Sequence, residues 1–466
     1  MSSPIGTSSF SHEWLLNQLK FADSEFSDAS EVKNVDEISG GKGFCSKVYL
    51  CDVGLKQVIL KVPECGKLDV TEKDGKSDEE PNLERIQMVR NMHDRECKFY
   101  EDFGNLGLIQ LPKIYQTGRF EQGDQGFLLM NTLAKSGGHG ELCDGFSKHQ
   151  LLAMARDFAK FHAHFLKIEE KSWVQKFHKE VMDSTIPIME GLLNALKGVD
   201  EKLFAEGVDK LLPYIGSKDF FNFVTYNAYK EFDIPVVLAH GNLWTNNIFW
   251  KFNSDGSISN EVEAYIDWQL AHSGCITYDL ASVLTICTEP DVRRLVANDV
   301  LKEYYDTLIA AMDGKVPFTF DQVPQPFKAF VMLNLGPKTV QDKLHRPVLQ
   351  RHVHRSLPAT DECEPPRRRP RGPIPQDPLS REVRDGRLFG YSQRRVTGTL
   401  RYSVDLICLF HAINKRNTPI QQRPLLTRSH NMQSQMGGDR SSCVPLSLAR
   451  LFLNVFSCLA KAMRHF

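Results

Sequence analysis

Two patterns of apolar and polar residues divide the first 340 positions of the chain. From Ile38 onwards the two kinds of residue alternate, and a second alternating stretch follows at Val58–Val62. Alternation with a period of two predicts β-strands, so these stretches are predicted to form a hairpin. A helix is predicted over about 82–103, followed by a strand at Gly126–Met130. Residues 1–37, in contrast, are polar and Ser-rich.

Apolar residues at helical spacing dominate the chain after Ser147. Gln150 lies three residues after this serine, which is the spacing of a capping box at a helix start. Two short apolar segments, Ile234–Leu238 and Ala264–Ile266, interrupt the helical pattern and are predicted to be strands. This order of elements predicts an α+β protein with two lobes, the first small and β-rich, the second larger and mainly helical.

The average charge of the chain conceals two different pieces. The 57 Lys and Arg residues nearly balance the 58 Asp and Glu residues, for a net charge of −1. Residues 345–466 carry 21 basic and 8 acidic residues, whereas residues 1–344 carry 36 and 50. Arg367–Arg371 in the basic piece could contact nucleic acid or an acidic membrane, but no aromatic or helical recognition pattern accompanies this run, so no nucleic-acid partner is expected. The Arg- and Pro-rich tail has a composition that rarely builds a packed core, and we expect it to be disordered.

Three features of the sequence favour a cytoplasmic protein. Met1–Lys20 lacks the basic start and apolar core of a secretory signal. The eleven cysteines include no CxxC pair, and without a route to an oxidising compartment we expect them to stay reduced. Val444–Met463 is apolar but contains Arg450, Asn454 and Lys461, so an amphipathic or buried helix is a better interpretation than a membrane span.

Three features of the first lobe belong together, and two of them could contact phosphate groups. Gly41 and Gly43, with Gly40, could bring backbone N–H groups close to phosphate oxygens, although an ordinary hairpin turn explains them equally well. Lys61 lies within an apolar strand, where it needs an anion unless the strand is at an edge. Glu96 falls in the apolar stripe of the predicted helix. The stripe alone slightly favours a solvent-exposed carboxylate at its rim; a core-facing Glu96 would need a partner, of which Lys61 is the obvious one.

The strongest chemical signal lies in the second lobe, where polar residues follow both predicted strands. His240-Gly241-Asn242-Leu243-Trp244-Thr245-Asn246-Asn247 follows the first, and Ile266-Asp267-Trp268 ends the second. Phosphoryl transfer needs a loop residue that contacts the substrate hydroxyl, and oxygen ligands that hold Mg²⁺ against the nucleotide phosphates. Asn247 and Asp267 can supply such oxygens. The alternative interpretation is two unrelated loops with ordinary turn residues.

These segments resemble the choline-kinase-like and ecdysteroid-kinase-like group of the aminoglycoside phosphotransferase superfamily. The catalytic loop of that group reads H-G-D-x-W-x-x-N, and its metal-binding Asp lies in an I-D-W or I-D-F segment. The resemblance covers roughly residues 35–340. It also includes, in order, Gly41–Tyr49, Ile59–Pro63, His93–Tyr100, Leu111–Tyr115 and Phe161–Ala163.

The resemblance implies a protein-kinase-like fold and a transfer of the ATP γ-phosphate, with Mg²⁺, to a hydroxyl of a small choline-like, steroid or xenobiotic alcohol. Gly41 and Gly43 would lie over the nucleotide. Lys61 would bind the α- and β-phosphates and would be oriented by Glu96. Residues 127–133, which include Met130 and Leu133, would form the hinge that meets adenine.

For the second lobe the resemblance implies a catalytic loop and a metal site. His240 would organise the loop, Asn247 and Asp267 would bind Mg²⁺, and Asp279 would brace the loop. The family's catalytic Asp falls at Asn242, whose amide can position a hydroxyl but cannot accept its proton as a carboxylate does. General-base catalysis is typically worth about 10²–10⁴-fold. A weak kinase and a catalytically impaired pseudokinase that binds nucleotide without efficient turnover therefore both stay open.

The expected organisation has four parts. An N-terminal extension (1–34) precedes a nucleotide-binding lobe (35–133) and a helical lobe with the catalytic and metal loops (134–340). The basic tail (341–466) replaces the helices that the resemblance would place on the substrate side, and an altered reading frame is one hypothesis for this change. His162 and His164 in the second lobe are interpreted as structural residues of a helix face.

Overall fold

A computed structural model describes residues 3–39, 45–64, 83–120, 125–142, 144–179, 185–199 and 201–335 of the chain. The helices of these ranges are α1 (His12–Ala22), α2 (Leu83–Phe103), α3 (Lys148–Lys167), α4 (Ser172–Lys176), α5 (Thr185–Val199), α6 (Glu201–Ile215), α7 (Lys218–Asn222), α8 (Ala228–Glu231), α9 (Tyr278–Ile286), α10 (Pro290–Ala311) and α11 (Pro324–Leu335). The strands are β1 (Val32–Glu37), β2 (Ser46–Val53), β3 (Lys56–Pro63), β4 (Ile114–Gly118), β5 (Phe127–Asn131), β6 (Gly137–Gly138), β7 (Val237–Ala239), β8 (Ile248–Phe252), β9 (Ile258–Tyr265) and β10 (His272–Gly274).

The first lobe is built on an antiparallel sheet with strand order β1-β2-β3-β5-β4. The predicted hairpin is β2–β3, and the predicted helix and following strand are α2 and β5. Strand β3 has neighbours on both sides, so the interpretation of Lys61 as an edge-strand residue was wrong. Strand β1 was missed because only Val32 of its six residues is buried, which leaves no apolar alternation to detect. It also crosses the expected boundary at residue 35.

Part of the N-terminal extension packs against this sheet. Leu15 and Leu19 of α1 are fully buried in the same core cluster as residues of β2 and β3. The rings of Phe10 and Trp14 stack at 4.1 Å, and both rings meet Phe127 of β5 edge to face. Ser11 caps the start of this helix, and its side chain accepts a hydrogen bond from the Trp14 N–H. Residues 3–26 are therefore an integral layer of the first lobe.

The second lobe is mainly helical and includes two small antiparallel sheets, β6-β8-β9 and β7-β10. The predicted capping box at the start of α3 is confirmed, because Ser147 and Gln150 exchange side-chain and backbone hydrogen bonds. The predicted strand at 234–238 is shifted to β7, since Pro235 cannot donate a ladder hydrogen bond. The strand predicted at 264–266 is the end of a longer strand, β9.

An aromatic cluster joins the two lobes. Phe99 of α2 stacks on Trp268, which follows β9, with ring centroids 3.8 Å apart and planes 6° from parallel. Phe161 of α3 packs edge to face on Trp268 and on Phe165. All described residues belong to one compact unit. The chain thus has the predicted α+β fold with two lobes, and the segment after β9 lies between them.

Several sequence-based predictions fall outside the described residues. They include the roles of Gly41 and Gly43, the disorder of the basic tail and the helix predicted at Val444–Met463. Within the described ranges, no helix has the length and apolar character needed to cross a membrane.

Candidate active site

Lys61 joins the two lobes through a double ion pair. Its ammonium lies 2.7 Å from Glu96 Oε2 on α2 and 2.6 Å from Asp267 Oδ1 in the segment after β9. Strand β3 places Lys61 opposite Val48 on one neighbour and opposite Leu128 on the other. The Glu96 side chain is 2% exposed, so the interpretation of Glu96 as an exposed residue at the rim of the stripe was wrong. The pairing of Lys61 with Glu96 is present.

The two carboxylates fix the charge of Lys61. Burial alone would lower its pKa, but Asp267 and Glu96 together raise the pKa above its usual value. Burial raises the pKa of Glu96 to about 7, while the nearby Lys61 opposes the shift. The ammonium therefore stays protonated at neutral pH, and a permanent positive charge sits where the lobes meet.

Asp267 accepts hydrogen bonds from three side chains and has an unusual backbone conformation. Its Oδ1 accepts from Lys61, while its Oδ2 accepts from the side-chain amides of Asn242 at 3.1 Å and Gln269 at 3.0 Å. The backbone of Asp267 is left-handed, with φ 68° and ψ 54°, a conformation that aspartate tolerates better than most residues. Both carboxylate oxygens of Asp267 therefore accept hydrogen bonds, and these bonds fix the orientation of the side chain.

The carboxylate of Asp279 fixes the start of the loop that begins at His240. The backbone N–H groups of His240 and Gly241 donate to the two oxygens of this carboxylate, at 2.8 and 3.0 Å. Burial raises the pKa of Asp279 to about 7, against the effect of these two hydrogen bonds. Gly241 has φ +82°, and a Cβ there would lie 2.1 Å from the carbonyl oxygen of Leu270. Only glycine fits this close approach between the two polar segments.

His240 links the same loop to the end of β9. Its Nδ1 accepts from the Asn242 backbone N–H at 3.2 Å, so Nε2 carries the proton and donates to the Ile266 carbonyl at 2.9 Å. Burial lowers the pKa of His240 to about 4, which keeps the ring neutral and this tautomer fixed. The ring therefore positions the loop and does not act as a cation.

Asn247 and Asp267 are the predicted ligands of Mg²⁺. The Asn247 amide nitrogen donates to the Asn242 carbonyl at 2.7 Å, which leaves its side-chain oxygen as the available acceptor. Over the described ranges there is no group of three or more His, Cys, Asp and Glu residues that could hold a metal ion. One carboxylate and one amide oxygen still suit Mg²⁺, because this ion commonly takes one or two protein oxygens and completes its shell with water and phosphate.

The predicted adenine-binding residues lie along β5 and just after it. Met130 pairs with Ile59, two residues from the Lys61–Leu128 pair, so Met130 and Lys61 share one face of the sheet. Leu133 is buried, and its carbonyl accepts from the backbone N–H groups of Ser136 and Gly137. Met130 therefore places an apolar side chain on the same sheet face as Lys61, where the flat face of a nucleotide base could pack.

One residue of this site, Gln269, was missed from the sequence, and the structural reason for Gly241, which belongs to the predicted loop motif, was not visible there. Gln269 lies two positions after Asp267, at the spacing of a local side-chain hydrogen bond, but glutamine is common enough that no signal stood out. The requirement at Gly241 comes from Leu270, which is 29 positions away. Such a long-range approach leaves no mark on local sequence patterns.

Comparisons with known proteins give a family match over most of the described chain. Residues 16–336 match the DUF1679 family, which is described as "Uncharacterized oxidoreductase dhs-27". The Caenorhabditis elegans protein of that name is 24% identical over 325 residues, which cover 66% of this chain and 38% of that protein. The chain therefore spans well under half of that relative. A second relative from the same organism, "Uncharacterized kinase-like protein D1044.1", is 19% identical over 292 residues, covering 59% of this chain and 71% of that protein.

Solved structures of small-molecule phosphotransferases are also similar to the chain. A choline kinase from Cryptosporidium parvum is 13% identical, with a TM-score of 0.40, and the match covers 70% of this chain and 87% of that one. The streptomycin–ATP complex of APH(2'')-IIa is 18% identical, with a TM-score of 0.37, and the match covers 72% and 92%.

Proposed function

The chain belongs to the DUF1679 family, and we propose that it binds ATP and transfers the γ-phosphate to a hydroxyl of a small organic molecule. One observation carries this proposal: the Lys61 ammonium lies between Glu96 and Asp267, beside the braced loop that contains Asn242. A largely buried lysine held by carboxylates from both lobes, with its side chain 12% exposed, is a preorganised cation for phosphate oxygens.

Each residue of the site has a part in the proposed reaction. Lys61 binds the α- and β-phosphates, and Glu96 keeps its side chain pointing into the cleft. Met130 and Leu133 contact the adenine. Asn247 and Asp267 would hold Mg²⁺, which supplies positive charge against the phosphate oxygens. The roles of Lys61, Glu96, Asn247 and Asp267 are supported by the contact distances described above, and that of Met130 by its strand pairing.

Asn242 takes the position next to the acceptor hydroxyl. Its side chain is partly exposed and lies beside Asp267, so it can hydrogen-bond and orient the substrate. In the transfer, the hydroxyl oxygen forms a bond to the γ-phosphorus as the bond to the ADP oxygen breaks. The hydroxyl proton passes to the phosphoryl group or to water, because an amide cannot accept it. Since this chemistry depends mainly on positioning and electrostatics, it can proceed slowly without a base.

A second candidate function is nucleotide binding without efficient turnover. The observation that favours it is the hydrogen bond from Asn242 Nδ2 to Asp267, which uses the amide as a structural donor.

The names of the two relatives bear on the class of reaction. The name of the kinase-like relative supports the phosphotransferase class. The word oxidoreductase in the other name belongs to a longer protein, of which this chain matches 38%.

The two candidates are separated by binding and turnover measurements on one pair of proteins. Wild type and Asn242→Asp are tested for a thermal shift with Mg-ATP, and for ADP release with a panel of alcohols. We expect both to bind Mg-ATP, and Asn242→Asp to turn over about 10²-fold faster or more. Turnover only in the variant would identify an impaired kinase. A chain that does not bind Mg-ATP would contradict both functions.

A further inference from the structure

We propose that the amides of Asn242 and Gln269 make ATP binding to this chain largely independent of Mg²⁺. The inference deepens the proposed function and rests on its nucleotide site. Three hydrogen-bond donors, from Lys61, Asn242 and Gln269, keep the predicted metal ligand Asp267 in place.

The orientation of the two amides follows from the chemistry of their partner. An ionised carboxylate only accepts hydrogen bonds, so the groups that face Asp267 Oδ2 at 3.1 and 3.0 Å must be the N–H₂ ends of Asn242 and Gln269. The other oxygen accepts from Lys61 at 2.6 Å. Asp267 is thus neutralised and hydrogen-bonded by the protein itself, on both oxygens.

A carboxylate at position 242 would give a different site. Two carboxylates at this separation repel each other, and one must take up a proton or a cation must lie between them. Asn242 removes that requirement, because its amide attracts Asp267. The aspartate therefore keeps its orientation without a metal ion.

The charge of the site also lowers the need for Mg²⁺ when ATP binds. The amides of Asn242 and Gln269 add no charge to the set formed by Lys61, Glu96 and Asp267. One negative charge fewer than in a site with Asp at 242 means less repulsion of the ATP phosphates in the absence of Mg²⁺. It also means a weaker attraction for the ion, which must compete with the donors already bound to Asp267.

The test compares ATP affinity with and without Mg²⁺ by isothermal titration calorimetry on the full chain. The measured quantity is the dissociation constant for ATP without Mg²⁺ divided by the constant with Mg²⁺, which we call the Mg²⁺ ratio. We expect a ratio within about threefold for wild type, and a ratio about tenfold or more larger for Asn242→Asp, from one added charge at this distance. Gln269→Glu adds a carboxylate at the second donor and is expected to raise the ratio in the same direction.

The matched control is Asn246→Asp, which makes the same chemical change at an exposed residue of the same loop. Its ratio should equal that of wild type. The inference is overturned if Asn242→Asp and Gln269→Glu, folded by circular dichroism, keep the wild-type ratio, or if Asn246→Asp raises it equally. A failure of the proposed function looks different: no protein in the series would bind ATP with or without Mg²⁺.

Discussion

At the scale of single residues, the central feature is a buried charge set that local patterns describe only in part. Glu96 lies seven positions after Val89 in the apolar stripe of α2, where the pattern does not separate a core position from a rim position. Lys61 would be an edge residue or an interior one according to the order of strands, which is a non-local property. Their contact was predicted because a buried carboxylate needs a cationic partner, and Lys61 was the obvious candidate.

We expect Lys61→Met to lower the stability of the fold substantially. The substitution leaves the Glu96 carboxylate, 2% exposed, without its ion-pair partner. Breaking a buried pair in this way typically costs about 3–5 kcal/mol. The free energy of unfolding from urea titrations measures the effect.

The control for this prediction is an exposed ion pair of the same chemistry. Lys302 and Asp306 on α10 lie 2.7 Å apart, with side chains 60% and 55% exposed. Exposed pairs contribute about 0–1 kcal/mol, so Lys302→Met should change little. Equal losses in the two variants would contradict the importance given to the buried pair.

At the scale of elements, the helices and strands with strong apolar periodicity could be predicted from the sequence. Strands that form only because a neighbouring strand pairs with them could not. Helix α3 has apolar spacing and a capping box, and both were visible. Strand β1 has mostly polar residues and exists because it pairs with β2. Its pairing satisfies backbone groups independently of side-chain pattern, which is why hydrophobic alternation could not reveal it.

The packing of α3 on α10 predicts a pH dependence of stability. The ring of His162 on α3 is buried, and its Nδ1 lies 2.8 Å from the Tyr304 hydroxyl on α10. Burial lowers the pKa of His162 from 6.5 to about 3. The unfolded chain therefore takes up a proton below pH 6.5 that the folded chain does not, and the stability due to neutral His162 is lost as the pH falls from 6.5 towards 3.

A comparison of two histidines on α3 measures this contribution. Between pH 6 and 4.5 the unfolding free energy of His162→Leu should fall less steeply than that of wild type, by about 1.4 kcal/mol per pH unit where the unfolded histidine is fully protonated. His149→Leu, at an exposed position of the same helix, should keep the wild-type slope. A wild-type slope in His162→Leu would show that this ring titrates normally in the folded protein.

At the scale of the whole molecule, the order of the two lobes could be predicted from the sequence, whereas local patterns alone could not predict the contacts at their junction. The contacts that form it connect Lys61 with Asp267, 206 positions apart, and Phe99 with Trp268. The resemblance to known kinases indicated that these segments would meet. The donation from Gln269 and the close approach at Gly241 emerged only from the three-dimensional arrangement.

The most direct test of the account is the affinity of the full chain for ATP, measured by isothermal titration calorimetry for wild type, Lys61→Met and Lys56→Met. Lys56 begins the same strand as Lys61 but is exposed. All three proteins are measured at a temperature at which circular dichroism shows them folded. We predict that wild type and Lys56→Met bind ATP equally, and that Lys61→Met binds about tenfold or more weakly through loss of charge-assisted hydrogen bonds to phosphate. Equal affinity in all three proteins, or no binding by wild type, would contradict a nucleotide site at Lys61.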